Sequence, residues 1–218
     1  MELKLGLFTM KNNSIKHLDE LIERYENLID CKNDIKKSTN LLIECFKSGN
    51  KLLICGNGGS AADCEHIVGE LMKGFILPRT LSDELVSKID DKTLTDALQY
   101  GLPSISLVSH TALSTAFSND QLPSAVFAQQ VLGYGKENDI LLCISTSGNS
   151  LNCVYAAKVA KAIGVKVISL TGAKDSKLSL LSDIVIKVPE TETFKIQELH
   201  LPIYHAMCLA IENEFYGD

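Results

Sequence analysis

The chain has 218 residues, of which 45% are hydrophobic and 22% charged, an ordinary globular composition that excludes disordered and collagen-like classes. This length suits one sizeable domain and is short for two. The net charge of −6, without a Lys/Arg cluster, argues against nucleic acid as the main partner. No apolar run reaches the ~20 residues that cross a bilayer, so we expect neither a nucleic-acid nor a membrane partner.

The first residues and the cysteines indicate the compartment. Glu2, Lys4 and the polar run 11–13 interrupt the apolar residues at the start, so we expect no signal peptide. The seven cysteines are scattered and form no C-x-x-C pair. That pattern is typical of reduced thiols used as small core hydrophobes, and it favours a cytoplasmic protein.

Residues 14–49 carry apolar side chains at three- and four-residue spacing, which predicts helices. Ser14 is a candidate N-cap, and Gly49 marks the end of the helical pattern. The apolar face is large for an isolated helix, so we expect it to pack on a neighbouring subunit. We interpret 1–48 as an N-terminal helical oligomerisation segment and 49–218 as the main domain.

Five short apolar runs follow, each bounded by small polar residues. Continuous runs of this length are typical of strands buried on both faces, and segments such as 151–163 between them have helical spacing. The alternation predicts an α/β fold with a parallel sheet covered by helices. The predicted strands are Leu52–Cys55, Ile105–Val108, Ile140–Ile144, Val165–Leu170 and Ile184–Val188. Residues 76–103 fit this alternation badly and are interpreted as an inserted helical segment, a lid or an interface element.

A glycine-rich segment, 56–60, lies directly after the first predicted strand and opens a helix. Glycines let backbone N–H groups approach a ligand, and a helix N-terminus favours an anion. The spacing also meets the loose dinucleotide fingerprint, but the acidic residue expected about 20 residues on is missing. A nucleotide-binding oxidoreductase is therefore the weakest alternative, and a tight turn without a ligand explains the segment alone equally well.

A second polar segment, 145–150, follows the third strand and precedes another helix. Four hydroxyls in six residues, beside the N–H groups of a helix start, form a phosphate cradle that needs no basic residue. Ordinary capping would need only one of them. Both segments lie at carboxyl ends of strands, where ligands bind in parallel sheets, so we expect a ligand with a phosphate and several hydroxyls.

Two further regions hold side chains that could bind a metal or move a proton. His66 and Glu70 are four residues apart on one predicted helix and share a face. They could form half a metal site or a base with its orienting partner, although a surface pair is the simpler explanation. The last helical segment holds Gln197, Glu198, His200 and His205, with Pro202 removing a helix hydrogen bond between them.

Together and in this order, the motifs resemble those of the phosphoheptose (sedoheptulose-7-phosphate) isomerases in the sugar isomerase, or SIS, domain family. The resemblance covers roughly residues 40–212, and the ordered set is highly specific. The matching segments are Gly56–Ser60 with His66 and Glu70, Ser118–Asp120, Ile144–Ser150, Leu170–Gly172, and Ile196–His200 with His205.

The resemblance implies a single SIS domain with a five-stranded parallel sheet, in a homotetramer built by the N-terminal helices with active sites between subunits. It implies zinc, one ion per site, on His66, Glu70, Gln197 and His205. Glu70 and His205 would be the catalytic acid/base pair. The implied substrate contacts are Asn57, Gly58, Gly59, Ser60, Asn119, Asp120, Ser145, Thr146, Ser147, Ser150 and Gln197.

The implied reaction interconverts a ketose phosphate and an aldose phosphate, with sedoheptulose 7-phosphate and D-glycero-D-manno-heptose 7-phosphate as the expected pair. Glu70 would take the proton next to the carbonyl to give an enediolate, and His205 would carry protons to the oxygens. Zinc would polarise both oxygens. Since a zinc-bound carboxylate is a weaker base, Glu70 would alternate between ligand and base.

Three positions depart from the family pattern. Gly74 stands where a basic residue usually follows the glutamate, so Lys73 or Arg79 would have to substitute. Phe194 replaces an aspartate, and Pro202 replaces a residue compatible with a helix. The sugar and the dependence on zinc therefore stay open. The alternative function is a non-catalytic SIS module that binds a sugar phosphate or a regulatory protein, although the four retained ligand candidates speak against it.

Overall fold

The computed structural model describes residues 10–217. The start of the predicted segment 1–48 lies outside the described residues, as do Glu2 and Lys4, on which the expectation of no signal peptide partly rests. Within residues 10–217, no helix combines the length and the apolar character that a membrane crossing requires.

One parallel sheet contains five strands in the order β2-β1-β3-β4-β5. All residues of β1 and β3 are buried, as expected for central strands with helices on both faces. The parallel sheet predicted from the sequence is confirmed, with strand ends shifted by at most two residues. The strands are β1 (Leu52–Gly56), β2 (Ser104–Ser106), β3 (Ile140–Ile144), β4 (Lys166–Thr171) and β5 (Ile184–Lys187).

Ten α-helices occur in residues 10–217, together with 3₁₀ helices at Glu26–Cys31 and Pro123–Ala125. The α-helices are α1 (Asn12–Arg24), α2 (Lys32–Lys47), α3 (Gly59–Met72), α4 (Asp83–Ile89), α5 (Lys92–Ala97), α6 (Thr111–Asp120), α7 (Val126–Tyr134), α8 (Leu151–Ala162), α9 (Lys177–Leu181) and α10 (Thr193–Tyr216).

Two hydrophobic cores lie on opposite faces of the sheet. Successive side chains of a strand point to opposite faces, so Leu52 and Ile54 join one core while Leu53 and Cys55 join the other. The first core contains residues of α1, α2, α3 and α10, and the second contains residues of α7 and α8. The predicted three-layer α/β sandwich is therefore confirmed.

The apolar face of the N-terminal helices packs within the chain. Leu18, Leu21 and Leu42 are buried in the same core as Ile203 and Met207 of α10. Thus α10 occupies the place for which a neighbouring subunit was expected, and the oligomerisation role of 1–48 stays a prediction. Ser14 is not an N-cap: it is buried inside α1, and its hydroxyl donates to Glu214 over 3.4 Å.

All seven cysteines are free and buried, which confirms their reading as small core side chains. Burial raises the thiol pKa of Cys45 and of Cys208 to about 12. The closest pair, Cys55 and Cys143, lies on adjacent strands with sulfur atoms 3.7 Å apart. The thiols therefore stay protonated and serve packing.

Segment 76–103 contains two short helices, α4 and α5, and its status as an insertion stays a prediction. Only Thr95 is buried in these two helices, so they lie on the surface rather than in a core. Backbone bonds anchor the segment at both ends, from Tyr100 N to Arg79 O over 2.9 Å and from Leu102 N to Leu71 O over 2.9 Å. A role as lid or interface stays a prediction.

Candidate active site

The glycine-rich segment connects β1 to α3 through a turn that requires glycine. Gly58 precedes the helix with φ +56°, a conformation that side chains disfavour. A Cβ on Gly59 would lie 2.8 Å from the Gln197 Nε2 atom, so glycine lets α10 approach this closely. The Gln197 amide consequently lies over the N-terminus of α3. Asn57, Gly58 and Gly59 are exposed at this turn, and Ser60 is buried.

The hydroxyl segment 145–150 forms a loop between β3 and α8. Ser145 Oγ and Ser150 Oγ lie 3.1 Å apart, and Ser147 Oγ accepts from Asn149 N over 3.2 Å. Ser150 stands at the N-cap position of α8, yet its side chain makes no capping bond. Backbone bonds from Gly172 N to Thr146 O and from Leu178 N to Gly148 O fix the loop. Hydroxyls beside a helix N-terminus of this kind suit an anion.

A reciprocal amide pair joins the glycine turn to the first turn of α8, which follows the hydroxyl loop. Asn57 Nδ2 donates to Asn152 Oδ1 over 3.0 Å, and Asn152 Nδ2 donates to Asn57 Oδ1 over 2.8 Å. The loops are neighbours because β1 and β3 pair directly. Asn152 was not singled out from the sequence, since nothing local to residue 152 signals a contact 95 positions away.

Three titratable side chains meet between α3 and α10. The His66 Nε2 atom lies 3.2 Å from Glu70 Oε1 and 3.4 Å from His205 Nε2. The two imidazole rings are 4.9 Å apart and nearly perpendicular. The Glu70 side chain is only 14% exposed, and its other oxygen accepts from Lys73 Nζ over 3.2 Å. We call His66, Glu70 and His205 the open cluster.

Gln197 lies at a different level of α10 from the open cluster. Eight residues separate it from His205, which is about 12 Å of helix. Its amide packs on Gly59 rather than on His66. The structure therefore brings together three of the four side chains that were predicted to bind zinc and places the fourth beside the glycine turn.

A chain of hydrogen bonds extends from the Nδ1 side of His66. The His66 Nδ1 atom is 3.0 Å from the Tyr204 hydroxyl, which donates to Asp63 Oδ1 over 3.2 Å. Neither Tyr204 nor Asp63 was identified from the sequence. Asp63 stands three residues before His66 on α3, but Tyr204 contacts them across 138 and 141 positions, a relation that periodicity does not reveal.

Burial controls the protonation of the site. It lowers the pKa of His205, with the neighbouring His66 acting in the same direction. It raises the pKa of Asp63, against the hydrogen bond from Tyr204. It also raises the pKa of Tyr204, so the phenol keeps its proton. These directions favour a neutral imidazole at position 205 that can accept a proton.

The donor atoms of the open cluster are of the types that zinc binds, although they are not arranged as a complete metal-binding set. No three His, Cys, Asp or Glu side chains in residues 10–217 are arranged as a metal-binding set. Tetrahedral zinc with bonds of ~2.0–2.1 Å places its ligand atoms about 3.3–3.4 Å apart. The separations around His66 Nε2, 3.2 and 3.4 Å, are close to that value. Two imidazoles and a carboxylate are also the ligand types that zinc prefers.

Of the two proposed replacements for the missing basic residue, only Lys73 is accessible. Arg79 is 1% exposed. It donates to Glu212 Oε1 and to the carbonyl oxygens of Glu70 and Leu71. Lys73 has a 60% exposed side chain and lies against the Glu70 carboxylate. Arg79 is therefore a buried structural group, and Lys73 is the cation that a substrate could reach.

The remaining predicted residue pair lies apart from the loops. Asn119 and Asp120 are exposed at the end of α6, where Asn119 Nδ2 donates to Asp120 Oδ1 over 2.8 Å. That helix has no buried residue. The described contacts do not join this pair to the open cluster or to the two loops, so its substrate role stays a prediction. Phe194, in the first turn of α10, is 57% exposed.

Comparison with known proteins gives a consistent family. The SIS domain model matches residues 16–172. A phosphoheptose isomerase of Aliarcobacter butzleri is 37% identical over 206 residues, which cover 94% of this chain and 98% of that protein.

Two solved structures are similar over nearly the whole chain. The phosphoheptose isomerase of Neisseria gonorrhoeae has 32% identity and a TM-score of 0.70, with 92% of this chain and 93% of that chain covered. The phosphoheptose isomerase of Francisella tularensis has 31% identity and a TM-score of 0.71, with 90% and 98% covered.

Proposed function

The chain belongs to the SIS domain family and, within it, to the phosphoheptose isomerases, and from this premise we propose how its residues carry out an aldose–ketose isomerisation. The substrate is sedoheptulose 7-phosphate and the product D-glycero-D-manno-heptose 7-phosphate. The observation that carries the proposal is the open cluster, in which a carboxylate and two imidazoles meet between α3 and α10.

The hydroxyl loop holds the phosphate. Ser145, Thr146, Ser147 and Ser150 offer hydroxyls next to the N-terminus of α8, whose dipole favours an anion. The glycine turn, with Asn57 and Ser60, lies at the adjacent strand end, and Asn57 bonds to Asn152 in the first turn of α8. A chain of sugar carbons can then extend from the phosphate toward α3 and α10.

Glu70 is the base that takes the proton next to the carbonyl. Its carboxylate is largely buried and faces His66 with one oxygen and Lys73 with the other. His205, kept neutral by burial, accepts a hydroxyl proton and returns it to the neighbouring oxygen. Glu70 then delivers its proton to the adjacent carbon of the enediolate, which completes the conversion of the ketose into the aldose.

His66, Glu70 and His205 would hold a zinc ion, with Gln197 as a fourth candidate. When bound, the ion supplies Lewis-acid polarisation of the carbonyl and hydroxyl oxygens. The support for this assignment is the donor set and its spacing around His66 Nε2. We further propose a cytoplasmic homotetramer with sites between subunits, in which Asn119 and Asp120 contact the substrate.

The test is turnover with a matched pair of variants. Purified protein is incubated with sedoheptulose 7-phosphate in D₂O, and NMR follows the aldose product and the entry of deuterium at the exchanging carbon. Glu70→Gln should lower kcat by about 10²–10⁴, the usual contribution of a general base. Glu65→Gln is the control, because Glu65 lies on the same helix but bonds to Ser109; its turnover should be unchanged.

Two outcomes would redirect the proposal. Wild-type turnover in Glu70→Gln would remove Glu70 from the proton transfer. Saturable binding of the sugar phosphate without any turnover by the wild-type protein would favour the non-catalytic binding module. A panel of five- to seven-carbon ketose phosphates in the same assay identifies the sugar.

A further inference from the structure

His66, Tyr204 and Asp63 form a chain of hydrogen bonds that begins at the His66 Nδ1 atom. Asp63 and His66 lie on α3, and Tyr204 reaches between them from α10. The Tyr204 oxygen is 3.2 Å from Asp63 Oδ1 and 3.0 Å from His66 Nδ1. The Tyr204 and His66 rings meet edge to face, with centroids 5.5 Å apart. One phenol oxygen thus joins a carboxylate to an imidazole.

The chemistry of the three groups fixes the direction of the hydrogen bonds. A phenol has one proton to donate, and an ionised carboxylate can only accept. The Tyr204 proton therefore points to Asp63, and the Tyr204 oxygen turns a lone pair toward His66. Since a lone pair needs a donor opposite it, the His66 Nδ1 atom carries a proton, which leaves its Nε2 atom as the one that faces Glu70 and His205.

We propose that Tyr204 and Asp63 are positioning residues that hold His66 with its proton on Nδ1 and its Nε2 atom directed into the open cluster. The inference rests on the proposed function, because it assigns His66 a role as a donor to the cation. Partners that fix the tautomer and ring orientation of a ligand histidine typically contribute 10–100-fold to metal affinity or activity.

The first test reads the tautomer directly, without metal or substrate. The ¹⁵N chemical shifts of the His66 ring are measured in the metal-free protein at a pH where the ring is neutral. The proposal expects the shift of a protonated nitrogen at Nδ1 in the wild type and a mixture of tautomers in Tyr204→Phe. An unprotonated Nδ1 in the wild type overturns it, because Tyr204 would then be donating to His66.

The second test measures zinc affinity by competition with a chelator. Tyr204→Phe keeps the ring and removes the hydroxyl, and the zinc dissociation constant should rise about 10–100-fold. Asp63→Asn should shift it in the same direction by less, because an amide oxygen can still accept from Tyr204. Tyr134→Phe removes a phenol hydroxyl from α7 and should leave both readouts unchanged.

The two tests separate this inference from the proposed function. Zinc affinity unchanged in Tyr204→Phe overturns the positioning role while leaving the isomerase proposal intact. A wild-type protein that binds no zinc contradicts the cofactor assignment, and the ring shifts then decide the tautomer on their own. Loss of kcat in Tyr204→Phe with an unchanged KM would further support the role, since the substrate does not contact this residue in the proposal.

Discussion

Two polar clusters link α3 to α10, and they differ in how far their side chains are exposed to solvent. The closed cluster is Arg79 with Glu212, whose side chains are 0% and 1% exposed. Glu212 accepts from three successive backbone N–H groups at residues 75–77 as well as from Arg79. In the open cluster the His66 side chain is 42% exposed, and its Nε2 atom faces Glu70 and His205.

Glu70, a member of the open cluster, also contacts the closed one through its backbone. Its carbonyl oxygen accepts from Arg79 over 3.1 Å, while its carboxylate faces His66. The backbone of the proposed base is thus held by a buried ion pair, and its reactive end is left for a ligand. We expect the closed cluster to serve stability and the open one function, and the substitutions of Arg79 and Lys73 below test that division.

The largest expected effect is on stability, from Arg79→Met. Removing one partner leaves Glu212 as an unpaired buried charge, which typically costs about 3–5 kcal/mol of unfolding free energy. Urea denaturation at neutral pH measures it. Lys92→Met is the control, because the Lys92–Asp96 pair is exposed and its loss should cost less than about 1 kcal/mol. Equal effects of the two variants would contradict the structural role of the closed cluster.

The second expected effect is on the pH dependence of the unfolding free energy, and it comes from His200, a buried histidine on the same helix as His205. Its ring is 0% exposed. Neither nitrogen meets hydrogen-bond geometry, although the Thr171 carbonyl slightly favours the charged ring. Burial lowers its pKa from 6.5 to about 4. The unfolded ring therefore takes up a proton before the folded one does, and stability should fall as the pH drops through this window, by up to about 1.4 kcal/mol per pH unit.

Urea denaturation at several pH values tests the role of His200. His200→Leu should flatten the pH dependence between about 6.5 and 4.5. Some pH dependence of the unfolding free energy should remain in this variant, since the pKa of His205 is lowered as well. Below that range the buried carboxylates dominate, because backbone hydrogen bonds hold the pKa of Glu212 and of Glu214 low despite their burial. A slope identical to that of the wild type would exclude His200 as a source.

The smallest expected effect is that of Lys73→Met on substrate binding. Lys73 is exposed beside Glu70, and exposed ion pairs contribute about 0.2–1 kcal/mol, so KM should rise up to about fivefold. Steady-state kinetics measures it. Unfolding free energy should not change, in contrast to Arg79→Met. A KM equal to that of the wild type would show that Lys73 does not replace the basic residue missing at position 74.

The sheet could be predicted because its information is local. Each strand is a short apolar run in the sequence, and the loops that follow β1 and β3 are recognisable by their glycine and serine content. The helical pairing of His66 with Glu70 is also local, at i and i+4. Juxtaposition of His66 with His205 came only with the family resemblance, because 139 residues separate them.

The rest depended on contacts that no local pattern encodes. Ser14 is a residue type that commonly caps a helix N-terminus. It is instead buried, because Glu214 of α10 supplies a hydrogen-bond partner. The apolar face of α1 indicated a buried contact but not which surface covers it. Tyr204 looks like an ordinary helix residue in the sequence, and its role is visible only when α3 lies beside α10.

The paired amides of Asn57 and Asn152 have an evolutionary consequence. Each amide supplies both the donor and the acceptor that the other uses, so a change at either position alone removes at least one of the two bonds. Aspartate at one of them would put a carboxylate against an amide oxygen and repel it. Positions 57 and 152 should therefore covary among relatives in which the loops keep this spacing.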